Sequence, residues 1–390
     1  MSSPVATPLP LILALWGAGL GAAAQYGKFS VVFDLLPLSY PGAGAGMGFI
    51  VSLVGFVGIL LGVVAGVVVA RIRYRRALLT ALWVGAAASV FQAFLPPLGW
   101  LLASRVVEGA SHLAIVVAAP TLIAQLSAPK DRGLTLTLWG TFFGVAFAVL
   151  AFSGRPLALG AGLPVLLLAH AGYMTFFALF LSARLRRLPE EGAQPPLSLA
   201  SVLRDHLVIY SSPRLSAPAA GWLFYTFSFV SILTVLPPYI DPAWRVAVMG
   251  VMPLMSIAVS MTLGVWLLKS VSAVRVVQAG FGLSALCMAW LWALPGAPTA
   301  CLGLAASLGL VQGASFAAVP QLNHQPGQQA RANGAMAQTG NIGNTLGTPV
   351  MAAGLAGLGF DALPLFAGLA FLGGLVVHLS LERARRGSSA

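Results

Sequence analysis

Residues 100–125 read WLLASRVVEGASHLAIVVAAPTLIAQ, an apolar run interrupted by Arg105, Glu108 and His112. A helix that crosses the hydrocarbon core of a bilayer needs about 20 mostly apolar residues, and this run supplies them. The three ionisable residues recur at i, i+3 and i+7, so they share one helix face. A charge at the bilayer centre costs roughly 2.5–3.5 kcal/mol on insertion scales. At ~1.5 Å per residue, His112 lies roughly 18 Å along the run from its outer end, near the midplane.

Runs of the same kind recur along the chain. They predict transmembrane helices near 10–33, 46–70, 77–97, 100–125, 134–153, 159–183, 217–240, 246–268, 273–294, 298–321, 332–357 and 362–381. Hydrophobic residues make up 58% of the chain and charged residues only 8%, against roughly 25% charged in a soluble domain. Lipid as solvent accommodates that composition and water does not. The net charge of +12 would suit a nucleic-acid partner, but the basic residues sit in small groups between apolar runs, so none is expected. No Lys or Arg precedes Lys28, so the first run is expected to be an uncleaved span and not a signal peptide.

The basic residues orient the spans. Arg71, Arg73, Arg75 and Arg76 follow the second run. Arg184, Arg186, Arg187, Arg204 and Arg214 follow the sixth, and Arg383, Arg385 and Arg386 follow the last. Lys28, Arg155 and Arg245 fall on the opposite side. The asymmetry predicts that both termini are cytoplasmic. The longest polar stretch, 185–215, reads as a cytoplasmic linker between six-helix halves at 1–184 and 216–390. A short amphipathic helix is expected around Ser198–Tyr210.

The halves resemble each other. Val107-Glu108-Gly109-Ala110-Ser111 of the fourth run is matched by Val311-Gln312-Gly313-Ala314-Ser315 of the tenth, and Pro120 by Pro320. The segments that follow also correspond, Pro129 to Arg132-Gly133 with Pro326 to Arg331 and Gly334, and three ordered matches at corresponding runs point to parallel repeats of six spans each.

Those repeats, with two local motifs, resemble the major facilitator superfamily, whose halves are parallel six-span repeats. The loop Gly66-Val67-Val68-Val69-Ala70-Arg71-Ile72-Arg73-Tyr74-Arg75-Arg76 is similar to the family's Gly-x-x-x-Asp-Arg-x-Gly-Arg-Arg loop. Ala70 stands in place of the acid and Arg73 in place of the second glycine. Arg105-Val106-Val107-Glu108-Gly109 fits the family's Arg-x-x-x-Gly pattern in span four. The resemblance implies an all-α integral membrane protein of twelve helices in two pseudo-symmetric bundles. It also implies alternating access and gating residues at Gly66, Arg71, Arg75, Arg76 and Arg132.

The candidate coupling residues are Glu108, His112 and Arg105. Low dielectric favours the neutral form of a carboxyl, as a proton carrier needs; the opposing reading is a static Arg–Glu pair that locks two helices. The candidate solute contacts are Gln25, Tyr26 and Lys28 of the first span, Trp222 and Tyr225 of the seventh, and Gln338, Asn341 and Asn344 of the eleventh. Lys28 reads equally as an attractor for an anionic group and as a side chain snorkelling to the outer interface. The polar stripe with Thr345 and Thr348 reads equally as helix–helix glue. His170 and Tyr173 form a weaker pair in span six. Gly55, Gly58, Gly62 and Gly66 form a small-residue face.

The two cysteines, Cys287 and Cys301, lie in apolar runs and give no disulfide framework or metal spacing. No Gly-x-x-x-x-Gly-Lys-[Ser/Thr] motif occurs, so neither a nucleotide nor any other cofactor is expected. The reading is a monomeric, non-enzymatic secondary transporter that couples a small organic solute to protons, in a bacterial cytoplasmic (inner) membrane. The alternatives are a membrane-embedded lipid-processing protein and a non-transporting sensor on a transporter scaffold.

Overall fold

A computed structural model describes residues 7–187 and 199–387, and every regular element among them is helical. The stretch 188–198, with Pro189, Glu190, Glu191, Pro195 and Pro196 of the expected linker, lies outside the described residues. We label α1 (Leu9–Ser30), α2 (Met47–Ser52), α3 (Phe56–Leu61), α4 (Ala65–Ile72), α5 (Tyr74–Ala93) and α6 (Leu98–Leu126). Next come α7 (Arg132–Gly140), α8 (Phe142–Val149), α9 (Arg155–Ala161), α10 (Leu163–Arg184) and α11 (Leu199–Ser211). The chain ends with α12 (Ser216–Val235), α13 (Pro242–Val259), α14 (Ala273–Ala293), α15 (Pro298–Leu322), α16 (Pro326–Leu358) and α17 (Ala362–Gly387).

Ten helical stretches among the described residues are long and apolar enough to cross a membrane. The last of them, Gly327–Gly387, contains both α16 and α17, which part at Gly359 with φ +61°. The chain is therefore a multi-pass membrane protein by composition and helix length. The expected span at 46–70 is not one continuous helix. It is broken by a tight turn at Leu53–Gly55 and again between α3 and α4. Gly55, Gly58 and Gly62 lower helix propensity there, and the segment follows the surface of α16 instead.

The fifth expected run also needs correction. It bends between α7 and α8 and then continues through a π-turn at Leu150–Gly154 into α9. Arg155, expected on a loop, lies inside this stretch and donates to the Val31 carbonyl at 2.8 Å. A satisfied guanidinium tolerates a helical, buried position that its charge alone argued against.

The packing divides the chain into two compact units. One comprises Met1–Val32 and Val64–Pro196, the other Phe33–Val63 and Leu197–Ala390. Segment Phe33–Val63 groups with the later helices, unlike in the linear division at residue 184.

In the first unit α1 packs on α6, α8 and α10, and α5 packs on α6 and α10. Leu15, Leu78, Leu82, Ile115, Met174 and Leu181 fill the core between them. Pro97 precedes α6 and pre-sets its entry, and the helix runs on through Pro120. In the second unit α12 packs on α16 and α17, α14 on α15 and α17, and α13 on α15. The helices α12 and α16 approach closely because α16 presents glycine. A Cβ on Gly347 would lie 2.0 Å from the Phe227 carbonyl oxygen, and one on Gly343 would lie 2.2 Å from Thr226 Oγ1. Small residues at such crossings let backbones meet in lipid, where packing replaces the hydrophobic effect as the driving force.

Candidate functional site

The charged face of α6 does not look into lipid. Arg105 and Glu108 have no exposed surface, and His112 is 6% exposed. Opposite them α1 places Gln25, Tyr26 and Lys28, all fully buried. Lys28 Nζ donates to Glu108 Oε1 at 2.6 Å. Arg105 forms a second ion pair with Glu108, through Oε2, and donates to the Gln25 carbonyl at 2.6 Å. Its guanidinium also lies 4.9 Å from the centroid of the Phe29 ring, within cation–π range. The snorkelling reading of Lys28 is thereby corrected: its ammonium turns inward because a carboxylate waits there.

Two residues of α5 complete the site. Ser89 Oγ accepts from Lys28 Nζ at 2.7 Å. Gln92 Nε2 donates to Glu108 Oε2 at 2.9 Å and to Ser104 Oγ at 3.1 Å. Ser89 and Gln92 are polar residues at i, i+3 in an otherwise apolar span, the same signal that exposed Arg105 and Glu108. The fourth wall is α10, where His170 Nδ1 lies 2.7 Å from Ser89 Oγ and Nε2 lies 3.0 Å from the Gly21 carbonyl. Tyr173 of α10 donates to the Gly17 carbonyl at 2.8 Å.

His112, the expected relay partner of Glu108, is held elsewhere. Its Nδ1 lies 3.0 Å from the Ala22 carbonyl, and its ring meets Tyr26 edge-on at 5.1 Å. Gln25 Nε2 donates to Ser111 Oγ at 2.9 Å. The Oε1 atoms of Gln25 and Gln92 are buried acceptors without a hydrogen-bond partner among the described residues. Two cations and one carboxylate, each desolvated, thus share a polar core in which four helices meet. Such a core is stable only while each charge keeps its partner.

The candidates of the second unit do not join into one cluster. Trp222 stacks on Tyr225 at 4.5 Å and Tyr225 on Phe229 at 5.3 Å. Phe316 of α15 meets the Trp222 ring edge-on at 5.0 Å. Gln338 binds three groups: its Nε2 donates to the Ile59 carbonyl at 3.0 Å and lies 3.1 Å from His206 Nε2. Its Oε1 accepts from the Tyr210 hydroxyl at 2.7 Å. Asn341 Nδ2 donates to the Ala337 carbonyl at 2.8 Å and abuts Gly58. Asn344 Oδ1, with the hydroxyls of Thr345 and Thr348, is buried and lacks a partner among the described residues.

Of the expected gating residues, Arg71, Arg76 and Arg132 are exposed and Arg75 is half-buried. Arg132 opens α7 beside Asp131, whose carboxylate accepts from Thr7 Oγ1 at 2.6 Å. Gly66 has open space where a Cβ would stand, so no close helix approach requires it. Among the described residues no group of three His, Cys, Asp or Glu could hold a metal ion.

The sequence model of the Major Facilitator Superfamily matches residues 11–348. The chain is also similar to the niacin transporter NiaP of Acinetobacter baylyi, with 31% identity over 141 residues. That match covers 35% of this chain and 32% of the relative, so it spans about a third of each.

Proposed function

This chain belongs to the Major Facilitator Superfamily, and from that premise we propose that it is a proton-coupled secondary transporter of a small organic solute. It works by alternating access as a monomer in a bacterial inner membrane. The observation that carries the proposal is the ion network of Lys28, Glu108 and Arg105, buried without exposure on any member. Ionisable groups within a membrane span are expensive and, as a rule, mark ion or solute pathways. Met47–Leu61, the shorter apolar segment, together with separate counting of α16 and α17, supports twelve spans. The basic loops support cytoplasmic termini.

Within the network, the surplus of one cation over carboxylate favours a solute with an anionic group. The niacin named for the relative is a small aromatic carboxylic acid of that kind. The stacked Trp222 and Tyr225, with Asn344, whose Oδ1 lacks a partner among the described residues, are the proposed contacts in the second half. Arg71, Arg75, Arg76 and Arg132 are proposed to govern gating.

Both carboxylate oxygens of Glu108 are engaged, so a proton reaches it only when the contacts of α1, α5 and α6 part. A second reading follows from that closure: the network is a permanent clamp that holds four helices together. Reconstituted vesicles separate the two. Coupling through Glu108 predicts solute accumulation driven by an inward pH gradient and lost in Glu108→Gln. Both readings lower the stability of Glu108→Gln, but a clamp predicts pH-driven uptake per folded molecule unchanged.

A further inference from the structure

The side chain of Gln338 joins three helices of the second unit. A Cβ on Gly62 would lie 2.8 Å from Gln338 Cα, and one on Gly58 2.2 Å from the Asn341 side chain, so glycine lets α3 lie directly against α16 here. An amide nitrogen carries two hydrogens and only donates. One hydrogen of Gln338 Nε2 goes to the Ile59 carbonyl of α3 at 3.0 Å. The other meets His206 Nε2 of α11 at 3.1 Å, so that ring nitrogen is the acceptor. His206 is therefore neutral in this arrangement, with its hydrogen on Nδ1. Gln338 Oε1 takes the Tyr210 hydroxyl of α11 at 2.7 Å.

A protonated His206 does not fit that arrangement. An imidazolium donates from both nitrogens, so its Nε2 hydrogen would point at a hydrogen of the Gln338 amide. The amide can turn over and offer Oε1 to His206, but Oε1 then faces the Ile59 carbonyl oxygen, and two acceptors repel. Gln338 holds Ile59 and His206 together only while His206 is neutral.

We propose that His206 is a pH switch on the joint of α3, α11 and α16, closed by the neutral ring and opened when the ring takes a proton. Histidine is the residue type whose charge changes between about pH 5 and 8. His206 is half-buried and Tyr210, one turn on, is 44% exposed, so water supplies the proton. None of these residues belongs to the network of Lys28, Glu108 and Arg105. The stretch that holds α11 is read as cytoplasmic, so acid delivered by inward proton transport loosens the joint on the side of delivery. That direction of regulation rests on the proposed transport; the switch itself does not.

Few other charges surround the ring. α11 itself carries Arg204 and Asp205. Arg331 is the one charged residue of α16 and pairs with Asp205 at 3.0 Å. α3 carries no titratable side chain, and α12 adds only Tyr225, stacked on Trp222.

His206→Gln and His206→Ala test the switch. The glutamine offers Gln338 an amide oxygen and takes no proton; the alanine leaves a Gln338 hydrogen without its acceptor. Hydrogen exchange of the full chain in lipid nanodiscs, corrected for the intrinsic effect of pH, is read over Phe56–Leu61 and Leu199–Ser211 at about pH 8 and about pH 5.5. In the wild type, acid should lower protection of at least one segment by roughly threefold to tenfold, as the loss of one hydrogen bond does. In His206→Gln both segments should stay level, and in His206→Ala Leu199–Ser211 should be weakly protected at both pH values. In the wild type at about pH 8, 15N NMR of the ring, assigned by its loss in His206→Gln, should place the hydrogen on Nδ1. A hydrogen on Nε2, level protection in the wild type, or an acid effect that persists in His206→Gln overturns the inference. These readouts need no solute, no gradient and no Glu108, so their failure is distinct from a failure of transport.

Discussion

Lys28 and Glu108, 80 positions apart in sequence, meet at 2.6 Å with neither side chain exposed. Their pairing with Arg105 makes the charge balance of the core predictable. Glu108→Gln leaves two buried cations without an anion. Lys28→Met leaves the Arg105–Glu108 pair whole. Thermal unfolding in lipid nanodiscs should rank Glu108→Gln as the more destabilised, by about 3–5 kcal/mol as for other broken buried pairs. The Lys28→Met/Glu108→Gln double variant, with one cation removed, should recover part of the loss. A double variant no more stable than Glu108→Gln would mean that geometry and not charge dominates.

Lys28→Ala tests solute charge. If the surplus cation attracts an anionic group, the substitution weakens binding of nicotinate by at least tenfold and that of nicotinamide by much less. That difference corresponds to about 1.4 kcal/mol. Binding is read as ligand-induced thermal stabilisation of the folded protein. Equal losses for the acid and its amide would remove Lys28 from solute recognition.

The crossing of α12 and α16 makes a steric prediction. Gly347→Ala puts a methyl 2.0 Å from the Phe227 carbonyl, whereas Gly357→Ala meets nothing within 4 Å. Overpacking of this kind costs roughly 1–3 kcal/mol. The unfolding temperature should fall for Gly347→Ala and stay near wild type for Gly357→Ala. Equal behaviour of the two would show that the helices do not cross at this distance.

The amide of Gln338 holds α11 in place through His206 and Tyr210. The Arg331–Asp205 pair at 3.0 Å also ties α11 to α16, but its side chains are 47% and 39% exposed. Exposed pairs are worth about 0–1 kcal/mol. Hydrogen exchange across Leu199–Ser211 should therefore accelerate more in Gln338→Ala than in Arg331→Ala. The reverse order would make the ion pair the anchor.

Much of this was legible in the sequence because lipid imposes simple rules. The apolar runs located α6 and α15 closely, and the spacing of Arg105 and Glu108 put both on one buried face. Where the rules failed, a partner distant in the chain decided. Arg155 read as a flanking charge, and Lys28 equally as one and as an anion attractor, because Glu108 and the Val31 carbonyl, which satisfy them, are not their neighbours in sequence. Segment 46–70 read as one helix because hydropathy does not register the glycines that let it bend along α16. His112 shares a face with Glu108, but helical spacing cannot say which way an imidazole turns. Ser89 and His170 entered the network only once α5 and α10 were seen beside α1.

The central claim is that protons drive this transporter through Glu108. The direct measurement is accumulation of the proposed anionic solute, with nicotinate as one probe of a panel of small carboxylic acids, in proteoliposomes under an imposed inward pH gradient, with the internal pH followed at the same time. The account predicts accumulation and proton entry together in the wild type and the loss of both in Glu108→Gln at matched folded protein. Accumulation with undiminished pH dependence in Glu108→Gln would contradict it.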